Sequence, residues 1–332
     1  MRSAAAAVCL LGALAFQDPP PPPGPTFEEF LAGVRAEALK RGISEATLDR
    51  ALTRLQPEPV VVARDRAQPE VTQSLEDYVQ QRLSPKTVAT AREMAARHAA
   101  VLAHVERAYG VQPALMVAIW GLESNFGAFT GSYPTIAALA TLAFDGRRPI
   151  FRSELFAALT IVDQRQMDPA ALKGSWAGAM GQPQFMPSSF LRHAIDFDGD
   201  QVVDIWSSHA DVFGSMANYL RAAGWREGER WGREVAVSRA VMAKVDRAVA
   251  MRTSGCRAMR ELTVARPLDE WHDLGITLRG GGRLPVSSMP ASLVRGRTRT
   301  FLVYRNYEAI LQYNCSNSYA VSVGVLSDQI GP

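Results

Sequence analysis

The sequence lacks the signatures of several common enzyme classes. Its five histidines include no His-Glu-x-x-His zinc motif, and it has no Gly-x-Ser-x-Gly nucleophile elbow, phosphate-binding glycine loop or zinc-binding cysteine cluster. No basic block indicates nucleic acid as a partner, because the net charge of +3 is small and spread along the chain. Beyond the N-terminus, no apolar run is long enough to cross a membrane. A mildly basic protein is still attracted to a polyanionic polymer such as a cell wall.

The N-terminus has the pattern of a secretory signal. Met1-Arg2 is a short positive start, and the apolar run from Ala4 to Phe16 is too short to span a membrane. Ala13-Leu14-Ala15 fits a small-x-small cleavage site. We therefore predict a signal peptide at residues 1–15, a proline-rich linker at 16–25 and a periplasmic protein.

Cysteine is scarce, and only Cys256 and Cys315 remain once the signal is removed. An oxidising compartment favours a disulfide between them. No spacing rule decides between that disulfide and two unpaired, buried thiols, so both stay open. Cys9 lies inside the apolar run without a lipidation motif around it, so we expect a soluble protein that is not lipidated.

The chain that follows is predicted to be mainly helical. Residues 26–112 form the first predicted domain, in which Gly42 ends one helix and Ser44 caps the next. Residues 113–230 carry most of the motifs, on helices broken by glycine- and proline-bearing loops. This region is therefore the predicted core of the molecule.

The pattern changes late in the chain. Glu261–Ala265 and Thr300–Tyr304 have the composition of strands. We predict a small β-rich domain at residues 231–300 and a C-terminal segment at 301–332. The predicted fold class is mainly α (α+β).

Glu123 lies in a segment, Pro113 to Gly127, that is predicted to be one helix, since proline suits a first turn and glycine suits a stop. Met116, Ile119, Trp120 and Glu123 share one helical face, which places a carboxyl group on an apolar stripe. Desolvation disfavours the charged form, so the pKa of Glu123 is expected to rise. A protonated carboxylic acid can donate a proton to a leaving group. The alternative is a glutamate near a helix end that faces water.

A second motif, Gly174 to Ser189, alternates small residues with amphipathic ones. Glycines let a backbone approach a ligand closely. The segment offers polar groups for sugar hydroxyls or amides and flat apolar faces, on Ser175, Gln182, Gln184, Trp176 and Phe185. Tyr219, Tyr307 and Tyr313 can also bond to a sugar or stack on one. The alternative is a tight loop whose aromatic and methionine side chains belong to the core.

A third motif has the spacing of an EF-hand calcium loop. Acidic residues occupy positions one, three, five and nine, and a carbonyl is available at seven, in Asp196, Asp198, Asp200, Asp204 and Val202. Gln201 stands where glycine is usual, and Ser207 stands where a closing glutamate is expected, so Asp211 is the candidate closing carboxylate of a longer loop. Hard oxygen ligands with no open position indicate a structural metal. The alternative is an acidic turn that stays in water.

In this order, the motifs resemble the lytic murein transglycosylase B family (glycoside hydrolase family 103), as a soluble secreted member. The resemblance runs from about Phe27 to Tyr319, and the Gly174 to Ser189 block is its most specific part. The other blocks that carry it are Gln68-Pro-Glu70, Tyr109–Pro113, Ala118–Ser124 and Tyr313–Ala320.

The resemblance implies a lysozyme-like core whose groove is completed by residues 301–332. It implies non-hydrolytic cleavage of the MurNAc-β-1,4-GlcNAc bond of peptidoglycan, with the muramic C6 hydroxyl as the nucleophile and Glu123 as the single acid and base. Groove residues would be Ser175, Gln184, Phe185, Tyr219, Tyr307 and Tyr313. Structural calcium would be held by Asp196, Asp198, Asp200, Val202 and Asp211.

The expected partners are peptidoglycan glycan strands, with cell-wall synthesis or remodelling proteins as further candidates, and the expected state is a monomer. No cofactor is expected to be needed for the chemistry, and an internal nucleophile permits a site with one carboxylate. Two other functions stay open at this point: a muramidase that uses water on the same bond, and a non-catalytic wall-binding protein.

Overall fold

The computed structural model describes residues 25–67, 73–165 and 167–331. The predicted signal peptide, nearly all of the predicted linker and the Gln68-Pro-Glu70 block lie outside these ranges. Helices dominate the described residues, a small antiparallel sheet accompanies them, and the predicted mainly α (α+β) class is confirmed. In this part of the chain, no helix has the length and apolar character needed to cross a membrane.

Sixteen α-helices occur in the described residues. They are Phe27–Lys40 (α1), Glu45–Leu52 (α2), Pro59–Arg66 (α3), Leu75–Arg82 (α4), Pro85–Arg97 (α5), Ala99–Tyr109 (α6), Pro113–Ser124 (α7), Thr135–Asp145 (α8), Ile150–Arg165 (α9), Pro187–His193 (α10), His209–Ala222 (α11), Arg239–Ala248 (α12), Arg257–Arg260 (α13), Leu268–Asp273 (α14), Arg305–Tyr313 (α15) and Asn317–Ile330 (α16).

Besides these helices and a 3₁₀ turn at Pro169–Ala171, the described residues contain seven short strands. They are Tyr133–Pro134 (β1), Lys173–Gly174 (β2), Gly232–Ala236 (β3), Arg266–Pro267 (β4), Thr277–Leu278 (β5), Pro290–Arg295 (β6) and Thr300–Val303 (β7). The main sheet has the strand order β4-β6-β7-β3-β5, with antiparallel pairing throughout. The predicted strand at Glu261–Ala265 is wrong, because only Thr263 forms an isolated bridge there.

Local sequence signals explain where many helices begin. Thr26 and Glu29 form a reciprocal capping box at the start of α1. Ser44 caps α2 as predicted, since its side chain accepts a hydrogen bond from the Thr47 N–H. Ser74 and Ser84 cap α4 and α5 in the same way. These side chains satisfy backbone donors that have no partner inside a helix.

The buried apolar side chains form three cores, and these do not follow the predicted domain boundaries. In the first core, helices α1 to α3 pack with α8, α9 and α10. In the second core, α4 to α6 pack with α7, α11, α15 and α16. The segment 26–112 therefore contributes to two cores and has none of its own. The third core lies under the sheet, and it includes Leu302 of β7 and Tyr304, both beyond the predicted boundary at residue 300. The C-terminal helices α15 and α16 close the second core around α7.

Candidate active site

Glu123 lies in the last turn of α7, at the edge of the second core. Met116, Ile119 and Trp120 on the same face are at most 1% exposed, and Glu123 is half-buried. The helix ends at Ser124, earlier than predicted, because Asn125 is already left-handed with φ of +49°. The Ser124 hydroxyl accepts a hydrogen bond from the Gly127 N–H at 3.0 Å, which fixes the turn after the glutamate.

The surroundings of Glu123 favour its neutral form. Burial raises its pKa to about 7, while the hydroxyl of Tyr319 and the positive charge of Arg82 act in the opposite direction. A group with a pKa near the working pH can both donate and accept a proton. The half-buried carboxyl therefore has the property that acid–base catalysis requires.

Two tyrosines of the C-terminal segment face this carboxyl. Burial raises the pKa of both Tyr313 and Tyr319 well above 10, and the nearby charge of Glu123 adds to the rise, so both hydroxyls keep their protons. Tyr313 donates to the Pro183 carbonyl at 2.7 Å. The Tyr319 hydroxyl is buried without a hydrogen bond of good geometry among the described residues. Glu123 is the acceptor that Tyr319 is placed to serve.

Gln182 connects the catalytic helix to the glycine-rich loop. The Trp120 Nε1 donates to Gln182 Oε1 at 2.7 Å, and Gln182 Nε2 donates to the Trp206 carbonyl at 2.7 Å. A Cβ at Gly127 would stand 2.5 Å from the same Gln182 oxygen, so this close packing requires glycine. Gln182 is 5% exposed and its amide is engaged on both sides. It therefore supports the fold and is not a sugar ligand, which corrects the prediction.

Ser175 and Gln184 lie on the predicted loop and are both half-buried. The Ser175 hydroxyl accepts from the Ala179 N–H at 3.1 Å. Gln184 has a left-handed backbone, with φ of +53°, and its Nε2 donates to the Gly181 carbonyl at 2.7 Å. A Cβ at Gly131 would meet the Gly174 carbonyl carbon at 1.9 Å, so the loop after α7 runs directly against the loop of Ser175.

Three of the predicted aromatic residues form one cluster. The ring centroid of Tyr219 lies 5.6 Å from that of Phe185 and 4.9 Å from that of Tyr313. The Tyr219 hydroxyl donates to the Gln312 carbonyl at 2.6 Å, which joins α11 to α15. Phe185 is 2% exposed, so its ring is packed in the core against the half-buried Tyr219 and Tyr313, and its predicted contact with the sugar is corrected.

Tyr307 is not part of the accessible groove. It is completely buried, and its hydroxyl donates to Asn317 Oδ1 at 2.9 Å. Asn317 in turn donates to the Ala258 carbonyl and to Glu261, both at 3.0 Å. No sugar can reach the ring, so the predicted contact is corrected: Tyr307 supports the first turn of α16, which carries Tyr319.

The acidic loop brings together three of the four predicted carboxylates. Oxygen atoms of Asp196, Asp198 and Asp211 lie within 4.8 Å of one another. Asp200 is turned away, since its Oδ1 accepts from the Val202 N–H at 2.7 Å. Gln201 takes φ of +72°, the left-handed conformation that glycine normally supplies at the sixth position of such a loop.

Asp211 closes the loop from α11. It is fully buried and accepts hydrogen bonds from the N–H groups of Phe197 and Asp204, both at 2.7 Å. Burial raises its pKa, against those two hydrogen bonds, and the charge of Asp198 adds to the rise. Three converging carboxylates are a hard oxygen donor set, so these residues fit a calcium ion.

Cys256 and Cys315 are disulfide-bonded, with Cα atoms 6.3 Å apart. Of the two alternatives that the sequence leaves open, the structure has the disulfide. It fixes the segment before α16 to the start of α13.

Comparisons with known proteins identify the family of the chain. A family model described as "Transglycosylase SLT domain" matches residues 26–328. Membrane-bound lytic murein transglycosylase B of Escherichia coli (strain K12) is 44% identical over 124 residues, 37% of this chain and about a third (34%) of that relative's length. SltB3 from Pseudomonas aeruginosa, solved in complex with NAG-NAM-pentapeptide, is 41% identical and has a TM-score of 0.83 over 93% of this chain and 81% of that chain. The chain belongs to the lytic murein transglycosylase B family.

These similarities confirm the family that the sequence predicted and its lysozyme-like core. A lytic transglycosylase of Escherichia coli, Slt35, solved in complex with calcium, is 27% identical with a TM-score of 0.73 and covers 92% of each chain. The contributions of Arg82 and Tyr319 to the site were missed, because neither lies near Glu123 in sequence. Tyr319 falls inside the Tyr313–Ala320 block, which was the only signal that could have found it.

Proposed function

We propose that this lytic transglycosylase cleaves the β-1,4 bond between N-acetylmuramic acid and N-acetylglucosamine in peptidoglycan without water. The observation that carries the proposal is a single half-buried glutamate, Glu123, whose pKa is about 7. Burial raises this pKa, the Tyr319 hydroxyl and the Arg82 charge lower it, and among the described residues no second carboxylate acts on it. Glycosidases with two carboxylates place them roughly 5–10 Å apart, close enough for each to affect the other.

In the first step, Glu123 donates its proton to the glycosidic oxygen as the bond to the anomeric carbon breaks. In the second, the Glu123 carboxylate takes the proton of the muramic C6 hydroxyl while that oxygen bonds to the anomeric carbon. The products are a free GlcNAc 4-hydroxyl and a 1,6-anhydro-MurNAc end, and Glu123 returns protonated. Intramolecular attack needs no bound water and gains from proximity. The Tyr319 hydroxyl stabilises the carboxylate between the two steps.

Product analysis tests this reaction. Purified peptidoglycan is digested, and the released muropeptides are examined by mass spectrometry. We expect 1,6-anhydro ends, which are lighter by one water than reducing ends. Reducing ends as the main product would show a muramidase instead.

The variant Glu123→Gln tests the role of the glutamate. It keeps the shape of the side chain but cannot donate or accept the proton, so turnover should fall by roughly 10²- to 10⁴-fold. A variant that folds and still digests peptidoglycan at the original rate would remove Glu123 from the mechanism.

We further propose a structural calcium ion held by Asp196, Asp198 and Asp211, with the Val202 carbonyl and a rotated Asp200 as additional ligands. The close approach of three carboxylates supports it, as does the calcium complex of the related Slt35. A bound cation would neutralise the acidic loop and hold it to α11.

Thermal unfolding tests calcium binding. Calcium should raise the melting temperature of the chelator-treated protein, and Asp211→Asn should abolish the rise. An unchanged melting curve would contradict calcium binding.

The predicted location and partners remain part of the proposal. A secretory signal pattern and the complexes of SltB3 with NAG-NAM-pentapeptide and NAG-anhNAM-pentapeptide support a periplasmic protein that binds peptidoglycan strands. Export of the full chain fused to a periplasm-dependent reporter tests the location. A reporter retained in the cytoplasm would contradict it.

A further inference from the structure

Phe129 is an exposed aromatic residue in the loop that follows α7. Its side chain is 70% exposed. Among the described residues, the next most exposed phenylalanine or tryptophan is Phe144, at 38%, and the ring of Phe144 packs on Phe27 and Phe30. Single exposed apolar side chains are common on proteins, so the role of Phe129 depends on where its backbone holds it.

A left-handed turn directly after α7 brings Phe129 back to the end of that helix. Asn125, Phe126 and Gly127 have φ of +49°, +57° and +81°, a run of three left-handed residues of which only one is glycine. Other residues rarely adopt this conformation, and it occurs often at functional sites. The Phe129 N–H then donates to the Ser124 carbonyl at 2.9 Å. Phe129 is therefore one hydrogen bond away from the residue that follows the candidate acid.

The same loop also contacts the loop of Ser175. A Cβ at Gly131 would lie 1.9 Å from the Gly174 carbonyl carbon and 2.4 Å from the Ser175 nitrogen, so the two backbones touch. The pairing of Tyr133 with Gly174 continues this contact. Both ends of the short segment that carries Phe129 are therefore fixed, one to the end of α7 and the other to the loop of Ser175.

The surroundings of the Phe129 ring favour a small flat ligand over a protein or a lipid surface. Its exposed neighbours in the loop, Ala128, Gly131 and Ser132, have small side chains or none. A protein or membrane interface needs a contiguous apolar patch of roughly several hundred Å², which one phenyl ring does not supply. A pyranose ring has an apolar face of C–H bonds that matches the face of a single aromatic ring.

We propose that Phe129 binds the glycan strand by stacking on a sugar ring that does not itself react at Glu123. This inference rests on the proposed function. Because Phe129 does not touch the reacting atoms, its contact is the same before and during the reaction, so it lowers KM and leaves kcat unchanged. The contact requires a flat side chain, because an aliphatic one cannot cover the face of a sugar ring.

The test separates a flat ring from a merely apolar side chain. Initial rates on soluble glycan strands stripped of their peptides are measured for the wild type, Phe129→Ala, Phe129→Leu and Phe129→Trp. The alanine and leucine variants should raise KM about fivefold with kcat unchanged, which corresponds to about 1 kcal/mol, because a sugar covers only one face of the ring. Phe129→Trp keeps a flat face and should keep the KM of the wild type.

The matched control is Val286→Ala. It shortens an apolar side chain that is 77% exposed in the loop before β6. Its KM should equal that of the wild type. The melting temperatures of the Phe129 variants should also equal that of the wild type, because the side chain is exposed, so a change in KM reports binding and not unfolding.

A second measurement needs no turnover. In the Glu123→Gln background, the same strands are titrated by calorimetry with and without the Phe129 substitutions. We expect Phe129→Ala and Phe129→Leu to weaken binding about fivefold and Phe129→Trp to leave it unchanged. Unchanged affinity in Phe129→Ala, or wild-type affinity in Phe129→Leu, would overturn the assignment. Reducing ends released by the wild type would instead refute the proposed function, while the titration still decides whether Phe129 binds the strand.

Discussion

The raised pKa of Glu123 implies that this residue destabilises the folded protein at neutral and alkaline pH. The carboxyl titrates at about 4.5 when exposed and at about 7 in the folded protein. The folded state therefore holds its proton more tightly than the unfolded state does. Below pH 4.5 both states are protonated and Glu123 carries no penalty; the penalty grows between pH 4.5 and 7 and is constant above pH 7.

The size of the penalty follows from the same values. Each pH unit between the two pKa values is worth about 1.36 kcal/mol, which gives an upper value of about 3 kcal/mol above pH 7. Partial exposure of the side chain reduces it, so we expect about 1–3 kcal/mol. Glu123→Gln removes the charge and should stabilise the protein by this amount at pH 8 relative to its effect at pH 4.5.

Urea unfolding of the wild type and of Glu123→Gln at pH 4.5 and pH 8, at one calcium concentration, measures the difference. The control Glu28→Gln replaces an exposed glutamate of α1, so it reports the effect of losing a surface carboxyl under the same conditions. If Glu123→Gln changes stability equally at both pH values, the carboxyl is not desolvated and the argument for its acid role fails.

Three further predictions concern the support of the site. Tyr319→Phe removes a donor that favours the Glu123 carboxylate, so the pKa of Glu123 should rise further. The alkaline limb of the pH–kcat/KM profile should then move up by about one pH unit. An unmoved limb would show that Tyr319 does not act on the glutamate. Gln182→Leu leaves the buried Trp120 N–H and the Trp206 carbonyl without their partner. The free energy of unfolding in urea should fall by about 2–4 kcal/mol, and a fall below about 0.5 kcal/mol would mean that water replaces the amide. The double variant Cys256→Ala/Cys315→Ala opens a loop of 59 residues and should lower the free energy of unfolding by about 2–4 kcal/mol. The intact mass should first rise by two hydrogens on reduction, which checks that the disulfide is present in the wild type.

The sequence predicted what depends on local periodicity and motif spacing. Periodicity placed Glu123 on the apolar face of α7, because residues three, four and seven positions apart share a helical face. Loop spacing predicted the approach of Asp196, Asp198 and Asp211 that the structure has. Gln201 shows the limit of such a rule, since a non-glycine residue holds the left-handed conformation that the motif reserves for glycine. Ser44 was found because its cap bond reaches only three residues along the chain.

What the sequence did not predict depends on contacts between distant segments. Tyr307 was assigned to the sugar groove and Gln182 was considered as a polar group for sugars, but burial by other helices gives both side chains internal partners. The same effect divides residues 26–112 between two cores, because helices adjacent in sequence pack against different later helices. Strand β4 is only two residues long, too short for an alternating pattern to locate it.

Helix α16 connects the buried Tyr307 and the disulfide to the environment of Glu123. Its first turn is held by Tyr307 through Asn317, and the disulfide at Cys315 fixes the residue just before its cap. The helix packs along α7, and it brings Tyr319 to Glu123 at one end of that contact. The docking of α16 against α7 therefore places the hydroxyl of Tyr319 where it acts on the buried carboxyl of Glu123. Substitution of Asn317 should then alter the pH–kcat/KM profile through Tyr319.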